Sequence, residues 1–279
     1  MSIRSWFPST LSILACAGVA SVASAQCATY TVAPGSATFV SGVDDTTNHA
    51  DDATTNITLP FSFSLYANAY TSVNVGSNGF LDFTQAHGSG FYSNACLPAA
   101  RGTTDGTGTS FGPTIFAHWD DLRTDGSGQG IFTTTLGSAP NRTFVIEWRA
   151  GFYSNCTGAA NFEVLLYEGQ TFFDVVYADG GSCGGSSATS GVESSGTGPF
   201  TQYSCNTAAL TGGVSLRYTC IPPTFGACCA ASGTCSTTEA SGCIGGVYQG
   251  VGTSCTPANP CGGACCDESQ VCTVTTAAG

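Results

Sequence analysis

The chain has 279 residues, 42% of them hydrophobic and 9% charged, and its 18 acids against six basic residues give a formal net charge of −12. Such a surface repels phosphate backbones and anionic lipid, which excludes nucleic acid and electrostatic membrane docking as partners. Sixteen cysteines and 37 glycines point instead to a turn-rich chain stapled by disulfides.

The opening MSIRSWFPSTLSILACAGVASVASAQ combines Arg4, an apolar run from Leu11 to Val22 and Ala23-Ser24-Ala25 before Gln26, the build of a cleaved secretory signal, 1–25, whose core is too short for a membrane anchor. A lipoprotein would acylate Cys16 or Cys27, but the residues before each fit the required small-residue approach poorly. The mature chain then holds eighteen acids, five arginines and no lysine, a formal charge of −13. It is expected to be secreted or displayed on the cell surface, with no direct membrane insertion.

From Gln26 to Ile221 short alternating runs recur between clusters of Gly, Ser, Thr and Asn, with no convincing helical periodicity, which predicts an all-β domain. In NITLPFSFSLY the odd positions Ile57, Leu59, Phe61, Phe63 and Leu65 are apolar, so one face is buried and the other wet. SVNVGSNGFLDF reads as two strands around Gly76-Ser77-Asn78-Gly79, with Asn78 and Gly79 supplying the positive φ of a tight hairpin. GIFTTTL and RTFVIEWRA make a second hairpin with Phe144, Ile146 and Trp148 on one face, and NFEVLLYE joins TFFDVVYAD through Glu168-Gly169-Gln170. With SGVES, FTQYS and VSLRY, about ten strands predict an antiparallel β-sandwich, jelly-roll-like, over residues 26–221.

This domain holds Cys27, Cys96, Cys156, Cys183, Cys205 and Cys220. Spacing alone does not choose among fifteen pairings; Cys27 with Cys220, Cys96 with Cys156 and Cys183 with Cys205 are the expected ones.

The blocks LPFSFSLYANAYTSVNVGSNGFLDF, PTIFAHWDDL, GSAPNRTFVIEWRA and GVESSGTGPFTQYSCN resemble, in that order, those of nidogen-like extracellular domains and their bacterial relatives, over roughly residues 55–218. In that family an apolar strand leads into an S-N-G turn and a W-D-D or W-A-D block follows; His118 departs from the usual proline or phenylalanine before the tryptophan. The resemblance implies a non-enzymatic role in adhesion or extracellular assembly.

HWDDLRTDGSG brings Asp120, Asp121 and Asp125 near His118, a set of oxygen ligands suited to calcium, although the acids lack the alternation of an EF-hand and no glutamate closes the loop. The competing reading is a solvated loop whose aspartates cap turns. GVDDTTNHADDATTN offers Asp44, Asp45, Asp51, Asp52 and His49, read as an exposed loop before it is read as a second calcium cluster. No other cofactor is expected. GTSFG, 108–112, matches a nucleophile elbow but lacks its strand-to-helix context. Glu147 and Glu163 are the carboxylate pair a glycosidase would need; Glu147, alternating with inward Ile146 and Trp148, is expected in solvent beside Arg149. GFYSNAC, 90–96, and GFYSNC, 151–156, are nearly one phrase, placing Phe91, Tyr92, Phe152 and Tyr153 on similar loops; with Tyr203 these can pack on disulfides or offer a sugar-stacking platform.

IPPTFG is a short stiff connector. Beyond it Cys228, Cys229, Cys235, Cys243, Cys255 and Cys261 form one unit, 222–261, and C-C-x5-C restarts at Cys265, Cys266 and Cys272 in a partial second unit, 262–279. Adjacent cysteines must take separate partners, because a trans peptide holds their Cα atoms about 3.8 Å apart while bridges need about 4.4–6.8 Å. The unit is therefore a small disulfide-rich module, with zinc disfavoured by the lack of histidine and by export. It resembles short GACC-type repeats that occur in series in large bacterial secreted proteins, which implies a spacer or adhesive bead. The half unit is expected to be a truncated repeat, or to hold a cysteine that bonds a second molecule.

The reading is a non-enzymatic, secreted or cell-surface protein for adhesion or extracellular assembly, its partner an extracellular protein or glycan. A lectin-like carbohydrate-binding module, calcium-dependent in one form, is the alternative, and a glycoside hydrolase the lower one.

Overall fold

The structure, a computed structural model, describes residues 27–66, 68–99, 110–154, 156–222, 224–255 and 261, with backbone alone at 264–266 and 272–274. The expected leader, Gly108 of the GTSFG match and most of the second cysteine unit lie outside the described residues.

In chain order the strands are β1 (Thr29–Pro34), β2 (Asp44–Asp45), β3 (Thr54–Leu65), β4 (Asn68–Gly76), β5 (Phe80–Asp82), β6 (Thr114–Trp119) and β7 (Leu122–Arg123). They continue as β8 (Gly130–Leu136), β9 (Thr143–Phe152), β10 (Ala159–Tyr167), β11 (Phe172–Gly180), β12 (Thr189–Glu193), β13 (Phe200–Cys205) and β14 (Ser215–Ile221). One antiparallel sheet runs β1-β14-β11-β10-β9-β8-β2 with β7 beside β9, and the other runs β13-β12-β6-β5-β4-β3. Short connections make sequence neighbours sheet neighbours in β3 to β5 and β8 to β11, and β6 returns beside β5 after a long connection. The strands outnumber the expected ten by β1, β2, β6 and β7; β2 and β7 have only two residues each, too few for alternation to show, and β6 is buried along its whole length.

Leu59, Phe61, Phe63 and Leu65 of β3 and Phe144, Ile146 and Trp148 of β9 are buried in one core between the sheets. Each such side chain contributes about 1.5–3 kcal/mol on burial. At the Gly76–Gly79 turn the positive φ (80°) belongs to Gly79, not Asn78. A Cβ on Gly79 would collide with the His118 carbonyl oxygen, and the Gly79 carbonyl accepts from both Ala117 (3.0 Å) and His118 (3.1 Å) N–H. That double acceptance marks a bulge in β6, which turns His118 onto Phe162 in the core.

Both outer sheet faces are covered. Residues 84–99 and 110–113 fold over β5 and β6 so that Phe91, Leu97 and Phe111 pack on Phe80, Phe116 and Trp119. Segment 36–43 lies over the other sheet, with Ala37, Phe39 and Val40 against Val145, Leu165 and Val176. Glu147, expected in solvent, points away from the core but is buried beneath this segment and bonded to Arg149 (2.8 Å). Alternation specifies which side of a sheet a residue faces; here another stretch of chain decided whether that side is wet.

Cys27–Cys220 joins the domain's ends. The other bridges are Cys96–Cys205 and Cys156–Cys183, which corrects the expected Cys96–Cys156 and Cys183–Cys205. The reason is local: β10 and β11 pair Ala160 with Gly180, bringing the residues just outside the hairpin, Cys156 and Cys183, together. The loop before Cys96 docks on β12 and the end of β13 through Asn94, which donates to Thr189 and Asn206.

β15 (Phe225–Ala230), β16 (Cys235–Glu239) and β17 (Gly246–Tyr248) form a separate small sheet in the order β16-β15-β17. Its buried residues are Gly226, Ala227, Cys228 and Cys229, with Cys261 also buried, so disulfides stand in for an apolar core. Cys228 bonds Cys243, Cys229 bonds Cys261 and Cys235 bonds Cys255. β18 (Ala264–Cys266) and β19 (Cys272–Val274) pair with Cys266 opposite Cys272, the register of Cys229 opposite Cys235 in the first hairpin.

Candidate functional site

The two GFYSN phrases meet at one place. In each the phenylalanine anchors the loop, Phe91 in the small outer core and Phe152 against the main core, while the following tyrosine stays outside, 43% exposed at Tyr92 and 60% at Tyr153. Between these rings lies a cleft of about 270 Å³ lined by Asp51, Asp52 and Asp121. A second cleft of about 390 Å³ shares Tyr92 and Asp121 and continues past Asn94, Asp120, Ser187 and Asn206.

Three buried polar side chains bring the acidic loops together. Asn78 donates to Asp52 Oδ1 (2.8 Å) and accepts from Leu122 N–H (2.8 Å), while its carbonyl accepts from Asp120 N–H (3.3 Å). Thr124 donates to Asn48 Oδ1 (3.0 Å) and accepts from Ala50 N–H (3.0 Å). Asp52 itself sits at φ 52°, a left-handed conformation that aspartate tolerates better than most residues. Asn78 read from the sequence as a turn former; its signal as the hub was its place in an S-N-G turn whose side chain had no stated role.

The predicted acids part company. Carboxylate oxygens of Asp51, Asp52 and Asp121 lie within 4.8 Å of one another, which makes them the group among the described residues able to hold a metal ion. Asp125 turns to Arg123 in a two-pronged pair at 2.6 Å, and Asp120 accepts from Ser187 at 2.6 Å. Asp45 pairs with His49 at 2.9 Å. His118 is enclosed in the core, where burial lowers its pKa to about 4. Tyr203 lies on β13 and Ser110 beside Phe111; neither lines the first cleft. Glu147 and Glu163 are opposite each other in register, both covered by 36–43.

Charge crowding sets the cleft's electrostatics. Asp121 is pushed up to about 6, first by burial and then by the charges of Asp52, Asp51 and Asp120. Asp51 is raised by burial and by Asp52, with Arg123 opposing. Clustered carboxylates of this kind gain from a cation or a positively charged group.

A family model described as NIDO related matches residues 24–224, which takes in both sheets and the Cys27–Cys220 closure. The chain belongs to the NIDO-related family. This places a disulfide-stapled domain of extracellular, generally non-catalytic type in residues 24–224. None of the curated proteins and none of the solved structures matches the chain. The NIDO-related domain owes its cleft to loops rather than strands, between β2 and β3, between β5 and β6, after β6 and after β9. Among the described residues no helix is long and apolar enough to cross a membrane.

Proposed function

We propose that the protein is a secreted or cell-surface adhesion or assembly module, and that its NIDO-related domain grips an extracellular protein or glycan at the tyrosine-flanked acidic cleft. The observation that supports this is the convergence of Tyr92 and Tyr153, from two copies of one phrase, on Asp51, Asp52 and Asp121. Exposed rings with few rotatable bonds are efficient contact surfaces, and carboxylates beside them fix orientation. The cysteine-rich units serve as spacers that hold the domain away from its attachment. Screening the purified protein on glycan and extracellular-protein arrays tests this: Tyr92→Ala with Tyr153→Ala should lower a saturable signal at least about tenfold, the loss of roughly 1.4 kcal/mol. An unchanged signal in a folded double variant would overturn it.

A calcium-dependent lectin is the second reading, favoured by the closeness of the three carboxylates. Calcium should raise the melting temperature relative to chelator, and the shift should fade below about pH 6, where Asp121 takes up its proton. Asp121→Asn should abolish the shift and, by relieving repulsion, melt slightly higher than wild type in chelator. No shift in wild type removes the cation from the site.

A further inference from the structure

Two glutamates stand side by side on the outer face of the larger sheet, where β9 and β10 place Glu147 opposite Glu163. Segment 36–43 closes over them, tied down by its own backbone. Val40 N–H donates to both Glu163 oxygens (3.0 and 3.2 Å), and Gly42 N–H donates to Glu147 Oε2 (2.7 Å). Arg149 completes the clamp, donating to the Gly42 carbonyl (2.7 Å) and to both Glu147 oxygens (2.8 and 2.9 Å). Asn161 adds a bond to Glu147 Oε1 (2.8 Å). Gly42 is buried against Phe132, and a Cβ there would lie 2.7 Å from the Phe132 Cβ.

We propose that residues 36–43 are a proton-locked strap: seated on the sheet while Glu163 carries a proton, and released when that proton leaves and two adjacent covered carboxylates must be hydrated. One arginine balances one of the two negative charges. Among the described residues no cation acts on the other, and lifting the strap is the direct way to bring it water.

The groups facing Glu163 support this. From β9 they are Glu147 and Arg149, and from β11 the apolar Val176. Further along β11, Asp174 is occupied by Arg217 (2.7 Å) and by the Tyr167 hydroxyl (2.6 Å). The strap carries no titratable side chain, and Phe132 and Thr134 are the β8 residues that alternate onto this face. Burial raises the Glu163 acid, the Val40 N–H works against that, and the Glu147 charge adds to it, for a value of about 8. The folded value lies above the unfolded one, so the stabilisation is present at lower pH and is lost as pH rises through about 8. Release uncovers Val145, Leu165 and Val176 together with the two acids.

The test is cleavage of the full chain after Phe39 by a chymotrypsin-type protease. The rate is divided by that for a free peptide of residues 34–44, which removes the protease's own pH dependence. When reclosing is fast, this ratio reads the population of the open strap. Wild type should show a rise of about tenfold between about pH 7 and pH 9.5, because a single-proton linkage gives about tenfold per pH unit below the closed-strap pKa and levels off above it. Glu163→Gln, which mimics the protonated acid, should stay slow at both. Gly42→Ala, which unseats the strap, should be fast already at neutral pH. A flat wild-type ratio, or a Glu163→Gln ratio that climbs with wild type, overturns the proposal. Should Glu163→Gln fail to fold, slow cleavage of both wild type and Gly42→Ala at the higher pH rejects the strap.

Discussion

Replacing Asp82 with alanine should cost about 3–5 kcal/mol, the penalty for removing one partner of a buried charged network. Asp82 is fully buried at the end of β5. Its Oδ1 accepts from the N–H of Thr84 and Gln85, both at 2.8 Å, and its Oδ2 accepts from Gly112 N–H (2.9 Å) and contacts His87 Nε2 (2.7 Å). One carboxylate thus gathers both ends of the segment that covers β5 and β6. Without it the His87 imidazole loses its partner in a place closed by Phe80, Phe91 and Phe111, and three N–H groups at the segment's ends lose theirs. Domains of this size are stable by about 5–15 kcal/mol, so the variant should unfold at a much lower denaturant midpoint. The same segment carries Tyr92, so ligand capture should fall with stability. Asp82→Asn keeps the acceptor for Thr84 and Gln85 and should lie between. A cost below about 1 kcal/mol, the worth of one ordinary hydrogen bond, would show that the segment is held by its aromatics alone.

The second large effect belongs to His118, which is fully buried between Phe162, Phe152 and Tyr177 with no hydrogen-bond partner on either ring nitrogen among the described residues. Burial lowers its pKa to about 4 from 6.5. The unfolded chain therefore binds a proton that the folded chain refuses, and stability falls with pH from about 6.5 down to about 4. By about pH 4.5 the loss should reach roughly 2.5 kcal/mol, at 1.36 kcal/mol per pH unit. Wild type alone will not display it, because Glu163 and Glu193 have folded values raised by burial to about 8 and about 7 and push the profile the opposite way. The readout is the difference between wild type and His118→Phe, measured by denaturant unfolding across the acid range. At neutral pH that difference is set by removing an unpaired N–H against a slightly larger ring. Parallel profiles for the two proteins would mean that His118 finds a proton partner when charged.

Most of the sandwich was legible because period-two alternation is a direct consequence of strand geometry. The runs at Ile57–Leu65 and Phe144–Trp148 named their buried faces without any tertiary information. The cleft was legible in pieces. Asp121 and the paired tyrosines stood out, yet nothing local joined them to Asp51 and Asp52, which lie about seventy positions earlier in the chain. Their meeting depends on Asn78, Asn48 and Thr124, ordinary turn and loop residues until the loops are side by side.

The sequence by itself determined the all-β class and the separate partners of Cys228 and Cys229, since these follow from periodicity and covalent geometry; the Cys27–Cys220 closure is an expectation that rests only on the place of the two cysteines at the domain's ends. Tertiary structure alone decided the remaining two bridges of the sandwich, the division of the acids between cleft and ion pairs, and the cover over Glu147 and Glu163. Apart from Cys156–Cys183, which the β10–β11 hairpin brings together, and the neighbouring Arg123–Asp125 pair, these turn on contacts between segments far apart in the chain. Local pattern assigns a side chain to a face of its strand; what later lies against that face is a property of the whole fold.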